Sequence, residues 1–185
     1  MERRKTDVLI CGSGSAGLCA AAWLTRYGVD FTILEQSPGP LKIGKADGVQ
    51  TRTVEIFDSF GVGSELLQES FHVMEVAFWE QGSGSGSACI KRLRFAPDKE
   101  DGISHRPHVI LNQARLHELL LSKLKASEQP QYDTQVEGVR VDDQATVSSP
   151  SSYPVRVRAI HGGQEQIWEA KYVLVGLVGE VQSRV

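Results

Sequence analysis

The stretch Val8-Leu9-Ile10-Cys11-Gly12-Ser13-Gly14-Ser15-Ala16-Gly17 sets an apolar run against a Gly-x-Gly-x-x-Gly turn, and its reading decides the fold. Working outward, Ala16–Tyr27 is rich in Ala and Leu and reads as a helix stopped by Gly28; Phe31–Leu34 is a second apolar run ending at Glu35. Strand, glycine turn, small-residue helix, strand and terminal acid thus follow in the order of a β-α-β unit that holds a dinucleotide. Each position has a physical reason. Gly12 permits the tight turn out of the strand, Gly14 lacks the Cβ that would keep a pyrophosphate at a distance, and Gly17 lets the helix lie close on the sheet. The amide groups and positive dipole end at the helix start face the phosphates. Glu35 is placed to accept hydrogen bonds from a ribose diol, and its charge disfavours a 2′-phosphate. The alternative is a glycine turn that only packs a helix on a strand.

Length and composition narrow the class. At 185 residues, 41% apolar and 23% charged, the chain has room for one sizeable core, so a single domain over residues 1–185 is expected. A net charge of -3 gives no reason to expect nucleic acid or an anionic membrane as partner. Arg3, Arg4 and Lys5 precede an apolar run, but Gly12 and Gly14 interrupt it too early for a secretory signal, and no stretch approaches a membrane span. Cys11, Cys19 and Cys89 have neither CxxC nor metal-ligand spacing; Cys11 and Cys19 read as buried reduced thiols, which fits a cytoplasmic protein. His105, His108 and His117 have no Cys or carboxylate at ligand spacing, so no metal site is expected.

Beyond Glu35 the pattern departs from a nicotinamide dehydrogenase. Gln36–Gly48 is a Gly/Pro-rich loop instead of the next strand–helix pair. Val54, Ile56, Phe57 and Phe60 then recur at helical spacing up to Gly61, and a short helix is expected over Ser64–Glu69 with Ser64 as its cap. Val73–Glu80 reads as a strand, the Gly/Ser tract Gln81–Ala88 as a loop tip or hairpin connection, and Cys89–Phe95 as an antiparallel return. Lys91, Arg92 and Arg94 read as a solvated strand face. Val109–Leu111 is a short strand, after which Asn112 caps a helix from Gln113 to about Ser127 with Leu116, Leu119, Leu120 and Leu124 on its apolar face. The remaining signal is β: Val136–Val141, Val155–Ile160, Gln164–Glu169 and Tyr172–Val175, with a hairpin turn at His161-Gly162-Gly163. These form an antiparallel meander whose last run rejoins the parallel sheet. The fold class is α/β.

Two further blocks follow the glycine turn in order. Gly44-Lys45-Ala46-Asp47-Gly48-Val49-Gln50-Thr51-Arg52-Thr53 with Glu55, and Val109-Ile110-Leu111-Asn112-Gln113-Ala114-Arg115-Leu116, resemble the FAD-dependent aromatic hydroxylases, in particular their fungal phenol 2-monooxygenase-like branch. The resemblance implies a truncated para-hydroxybenzoate hydroxylase-type fold: a Rossmann-like FAD-binding β-α-β unit with an added antiparallel strand meander, residues 81–107 being an insertion into the substrate-side sheet. It also implies a flavoprotein monooxygenase of secondary metabolism, in which NADPH or NADH reduces FAD and one atom of O2 enters a small phenolic or polyketide-like aromatic substrate. On that resemblance Gly12, Gly14, Ser15, Ala16 and Gly17 surround the FAD pyrophosphate, Glu35 binds the adenosine ribose, and Gln36 lies beside the adenosine. Lys45 meets the ribose–pyrophosphate region and Gln113 the ribityl–phosphate part. Asp47 matches an aspartate near the substrate ring, where a carboxylate that accepts the phenol proton makes the ring more electron-rich. The alternative for Asp47 is an Asx-turn before Gly48. Arg52 either faces the flavin or pairs with Glu55 one turn on.

Two departures stand against the resemblance. Gly176-Leu177-Val178-Gly179-Glu180-Val181-Gln182-Ser183 puts Val178 where the family has the Asp of an Asp-Gly motif, and Ser183 falls one place late. The family also continues well past this length. Two other functions therefore stand beside the hydroxylase: a catalytically inactive, truncated dinucleotide-binding module associating with an intact homologue or complementary chain, and, disfavoured by the loop after Glu35, an NAD-dependent dehydrogenase.

Overall fold

A computed structural model of the chain describes residues 3–44, 46–81, 90–98, 102–142, 152–176 and 182–183. It divides into two compact units: Met1–Lys42 with His117–Val185, and Ile43–Leu116.

The first unit is built on the opening β-α-β motif. Strand β1 (Arg3–Cys11), helix α1 (Ser15–Tyr27) and strand β2 (Phe31–Leu34) follow one another, and Gly28 closes α1 in the left-handed conformation with φ 66°. β1 lies between two parallel neighbours, β2 and the long β10 (Gln164–Val175). β8 (Thr134–Val141), β9 (Val155–His161) and β10 form the expected antiparallel meander, and β11 (Gln182–Ser183) pairs parallel with β8. The six-stranded order is β11-β8-β9-β10-β1-β2. Within this sheet Leu9, Cys11, Leu34, Val155, Val157, Ala159, Trp168 and Ala170 form a buried apolar cluster. The hairpin turn stands as expected, since Gly162 and Gly163 have φ 54° and 78°, the pair of positive values that a two-residue type I′ connection demands.

β10 corrects one expectation. Gln164–Glu169 and Tyr172–Val175 are a single strand, because the polar residues between the apolar runs are ion-paired. Glu169 meets Arg3, Lys5 and Arg156, and Lys171 lies 2.9 Å from Asp7. One strand thereby faces an antiparallel partner over Gln164–Ala170 and a parallel one over Ile167–Val175. It is the hinge between meander and Rossmann-like halves of the sheet.

In the second unit, β3 (Gly48–Val49), β7 (His108–Ile110) and β4 (Phe71–Val73) form a small antiparallel sheet in the order β3-β7-β4, and β5 (Glu75–Gln81) pairs antiparallel with β6 (Ile90–Pro97). The antiparallel return to β5 is as expected; the run Val73–Glu80 is instead broken at Met74, its first residue, Val73, pairing with β7 and Glu75 onward with β6. The tract joining β5 to β6 lies outside the described residues, as does Cys89. Helix α2 (Thr51–Phe60) ends at Gly61 and buries Val54 and Phe57, whereas Ile56 is exposed. Helix α3 (Gly63–Glu69) starts a residue earlier than expected: buried Val62 occupies the cap position and Ser64 lies inside the helix.

Helix α4 (Gln113–Leu121) starts as read from sequence, with the Asn112 Oδ1 accepting a hydrogen bond from the Ala114 N–H at 2.9 Å. It ends well before Ser127. The amides of Lys123 and Leu124 turn to the carbonyls of Leu120 and Leu121, and the Gln129 side chain donates to Leu121 O, so the last turn tightens and stops. Leu116, Leu119, Leu120 and Leu124 are all buried, so the apolar face was read correctly although the helix is shorter.

Candidate functional site

The glycine turn shows three different demands for glycine. Gly12 has φ 102°, a conformation that side-chain-bearing residues avoid. A Cβ on Gly17 would stand 2.1 Å from the Gly12 carbonyl oxygen, so its absence is what brings α1 against the end of β1. Gly14 is different. A Cβ there would meet nothing nearer than Gly176 O at 4.0 Å, and its φ of -64° suits any residue. Nothing within the described chain requires glycine at this position; a group approaching from outside would.

Gly14, Ser15 and Ala16 are exposed, whereas Gly12, Ser13 and Gly17 are buried. No side chain caps the start of α1, and the first intrahelical bond runs from Leu18 N–H to Gly14 O. The amides of the first turn therefore have no intrahelical acceptor and form a donor cluster at the positive end of the helix. After β10, Gly176 returns to this place, its N–H donating to Cys11 O at 2.8 Å. The run that follows, including Val178, lies outside the described residues.

Glu35 is buried at the end of β2, 22 residues along the chain from Ser13 and in direct contact with it. Its Oε2 accepts from Ser13 N–H at 2.7 Å and Ser13 Oγ at 2.9 Å, and its Oε1 accepts from Ser37 N–H at 2.9 Å. Burial pushes this carboxyl up, but the hydrogen bonds from Ser13 and Ser37 outweigh it and hold the group below the ordinary glutamate value. The carboxylate is thus ionised and joins the strand end to the glycine turn, a linkage that spacing alone did not indicate. Gln36 follows it and is exposed. The neighbouring Tyr132 hydroxyl is buried with no hydrogen-bond partner among the described residues; burial and the Glu35 charge both keep it protonated.

The glycine turn has a second holder that the sequence reading passed over. His117, buried on α4, places Nε2 3.0 Å from Ser13 O and accepts the Leu41 N–H on Nδ1 at 3.1 Å. Its only sequence signal was a polar residue on the apolar face of a helix.

In the second unit, Asp47 is exposed and its main-chain oxygen accepts from Leu111 N–H, tying the loop to the segment between β7 and α4. A Cβ on Gly44 would stand 2.4 Å from the Gln113 Cβ, so the two family-like blocks are in contact here. Lys45, between Gly44 and Ala46, lies outside the described residues. Arg52 takes the structural option, pairing with Glu55 at 2.8 Å, and Glu55 also accepts from Ser104 Oγ. His108 is another feature missed in sequence: its Nδ1 lies 3.0 Å from an Asp98 carboxylate oxygen, and a Cβ on Gly48 would be 3.4 Å from its Nε2. This is an imidazole oriented by a carboxylate, next to the residue that follows Asp47. Arg92 and Arg94 lie over the rings of Phe95 and Phe78 on the β5–β6 pair.

Burial pushes the thiols of Cys11 and Cys19 up to about 11, so both are inert as nucleophiles near neutrality. Among the described residues no group of three or more His, Cys, Asp and Glu is placed to hold a metal ion, and no helix is long and apolar enough to cross a membrane.

The chain is similar to known proteins. The chain is 49% identical over 172 residues to the FAD-dependent monooxygenase terD of Aspergillus terreus, a match covering 92% of this chain and 28% of that one. It is 37% identical over 179 residues to the 3-hydroxybenzoate 4-monooxygenase of Comamonas testosteroni, covering 92% of this chain and 27% of the other. It therefore spans little more than a quarter of the length of these curated relatives. A ternary complex of aklavinone-11 hydroxylase with FAD and aklavinone has the same fold, with a TM-score of 0.73 at 24% identity over 97% of this chain and 34% of that one. The model of one family, described as FAD binding domain, matches residues 5–176, from within β1 to the glycine after β10. By that match the chain belongs to the FAD binding domain family.

Proposed function

We propose that this chain holds FAD on the glycine turn of its first unit, and that the protein it represents hydroxylates a phenolic or polyketide-like aromatic compound using NADPH or NADH and O2. Residues 1–185 then form one incomplete FAD-binding domain in which 81–107 is an insertion. The observation that carries the reading is the junction of Gly14, the α1 N-terminus and Glu35. An exposed cluster of amide donors, a glycine demanded by nothing inside the described chain and an ionised carboxylate together fit a pyrophosphate with a ribose beside it. In this reading Gly12, Gly14, Ser15, Ala16 and Gly17 hold the pyrophosphate and Glu35 the ribose, with Gln36 at the adenosine. Lys45 and Gln113 serve the remainder of the cofactor. FAD, when bound, supplies the redox chemistry that lets one oxygen atom enter an aromatic ring. Asp47 draws the proton from the substrate hydroxyl and so raises the electron density of that ring.

The test is flavin uptake by the purified chain, followed by NADPH and NADH consumption with simple phenols. Stoichiometric FAD with phenol-stimulated oxidation of the nicotinamide supports the proposal. A folded chain that takes up NAD but no flavin overturns it. Val178 supports a second reading, because a valine cannot accept the hydrogen bonds the family's aspartate would: FAD is held but not turned over, and the chain works beside an intact homologue or complementary chain. That reading predicts a flavin spectrum without turnover, and co-purification with a full-length relative.

A further inference from the structure

We propose that His117, as a neutral imidazole with its proton on Nε2, is a positioning residue that sets the glycine turn for the cofactor's pyrophosphate. The inference rests on the FAD reading above and adds a residue to it. Ser13 sits between the two glycines that shape the turn, and each of its polar groups is held: N–H and Oγ by Glu35, carbonyl by His117. His117 in turn accepts the Leu41 N–H, and Ser37, four residues before Leu41, donates to Glu35. The strand end, the glycine turn, α4 and the loop after β2 are thereby closed into one ring of hydrogen bonds. The tautomer follows from the geometry. An amide N–H can only donate, so Nδ1 carries a lone pair; a carbonyl can only accept, so Nε2 carries the proton. Protonating Nδ1 sets two donors against each other and opens the ring at Leu41.

The charged groups acting on His117 are Glu35, from the end of β2, and Glu118, its neighbour on α4; both favour the protonated form, as does the Ser13 carbonyl. Burial is the largest influence and outweighs them, holding the imidazole below the ordinary histidine value of 6.5. Glu35 stays ionised through the same range, since its own titration lies below 4.5. The imidazole is therefore neutral at about pH 8, the form the ring of hydrogen bonds requires.

The experiment is FAD titration of the full 185-residue chain by quenching of flavin fluorescence, with amide exchange at Leu41 followed by NMR without cofactor. At about pH 8 the Leu41 amide is expected to exchange about tenfold or more faster in His117→Phe than in the wild-type chain. His117→Gln keeps a donor for Ser13 and has no proton to gain. It should bind FAD within about threefold of wild type at about pH 8, whereas His117→Phe should bind at least about tenfold more weakly. A folded His117→Phe chain that binds FAD as tightly as wild type overturns the role of His117 and leaves the FAD reading standing. A folded wild-type chain that takes up no FAD overturns both. Should His117→Phe fail to fold, the ring 15N shifts of wild-type His117 at about pH 8 still decide: a proton on Nε2 is expected, and a proton on Nδ1 overturns the assignment.

Discussion

At the scale of single residues the proposed cofactor contacts rest on Glu35 and the glycines before it, and their roles separate experimentally. Gly17→Ala drives a Cβ into the Gly12 carbonyl, so the cofactor-free chain should lose about 1–3 kcal/mol or more, measured by urea unfolding. Gly14→Ala meets open space and should cost no more than about 1 kcal/mol, the difference between glycine and alanine as a helix cap. On the proposed FAD reading it should nonetheless abolish FAD uptake, because the added methyl group would stand in the way of the pyrophosphate. Equal losses of stability for the two variants would argue that Gly14 is structural after all. Glu35→Gln leaves Ser13 and Ser37 with a weaker acceptor, and FAD affinity should fall about ten- to a hundredfold, the worth of a charge-assisted hydrogen bond. The pH dependence has a definite sign. Because the folded pKa of Glu35 lies below the ordinary 4.5, its contribution to stability is complete above that value and lost as pH falls through the folded pKa. The Glu35→Gln chain should lose that part of the acid sensitivity, visible in melting temperatures taken along a pH series.

At the scale of elements, the meander depends on its turn and α4 on its cap. Gly162→Ala and Gly163→Ala each place a side chain at positive φ and should cost about 1 kcal/mol or more, with the register of β9 and β10 loosened in amide exchange. Asn112→Ala removes the acceptor for Ala114 N–H and should cost about 1 kcal/mol in the same unfolding assay. β10 shows why element boundaries are harder to read than element types. Glu169 and Lys171 look like breaks in an apolar pattern, yet each has an opposite charge waiting on β1, and the strand runs through. α4 errs in the other direction. Its apolar spacing continues to Leu124, but Gln129 returns from beyond the helix to take the Leu121 carbonyl and end it.

For the molecule as a whole, the β5–β6 pair presents Trp79, Ile90, Leu93 and Phe95 to solvent, with Phe71 and Met74 exposed nearby in sequence. Apolar surface of this kind drives association. The chain should sediment as concentration-dependent oligomers, and Trp79→Ser with Leu93→Ser should shift it toward monomer. A wild-type chain monomeric across that range would count against this. At the same scale, the second stretch of β10, Lys171–Val175, pairs with β1 on one side and extends past the end of its pairing with β9 on the other.

Much of this protein was determined locally. The turn Gly12–Gly17 works through backbone geometry that glycine alone permits, the periodicity of the β-α-β start is a property of adjacent residues, and a Gly-Gly pair dictates its own hairpin. Those features are legible in any chain that carries them. Tertiary structure decided the partners. That Glu35 grips Ser13, that a histidine on the apolar face of α4 holds the far side of the same residue, and that Asp98 orients His108 beside Gly48 all depend on groups distant in sequence. A hydrogen bond is set by distances of about 3 Å, which only the folded chain fixes. Residue spacing carries no trace of them.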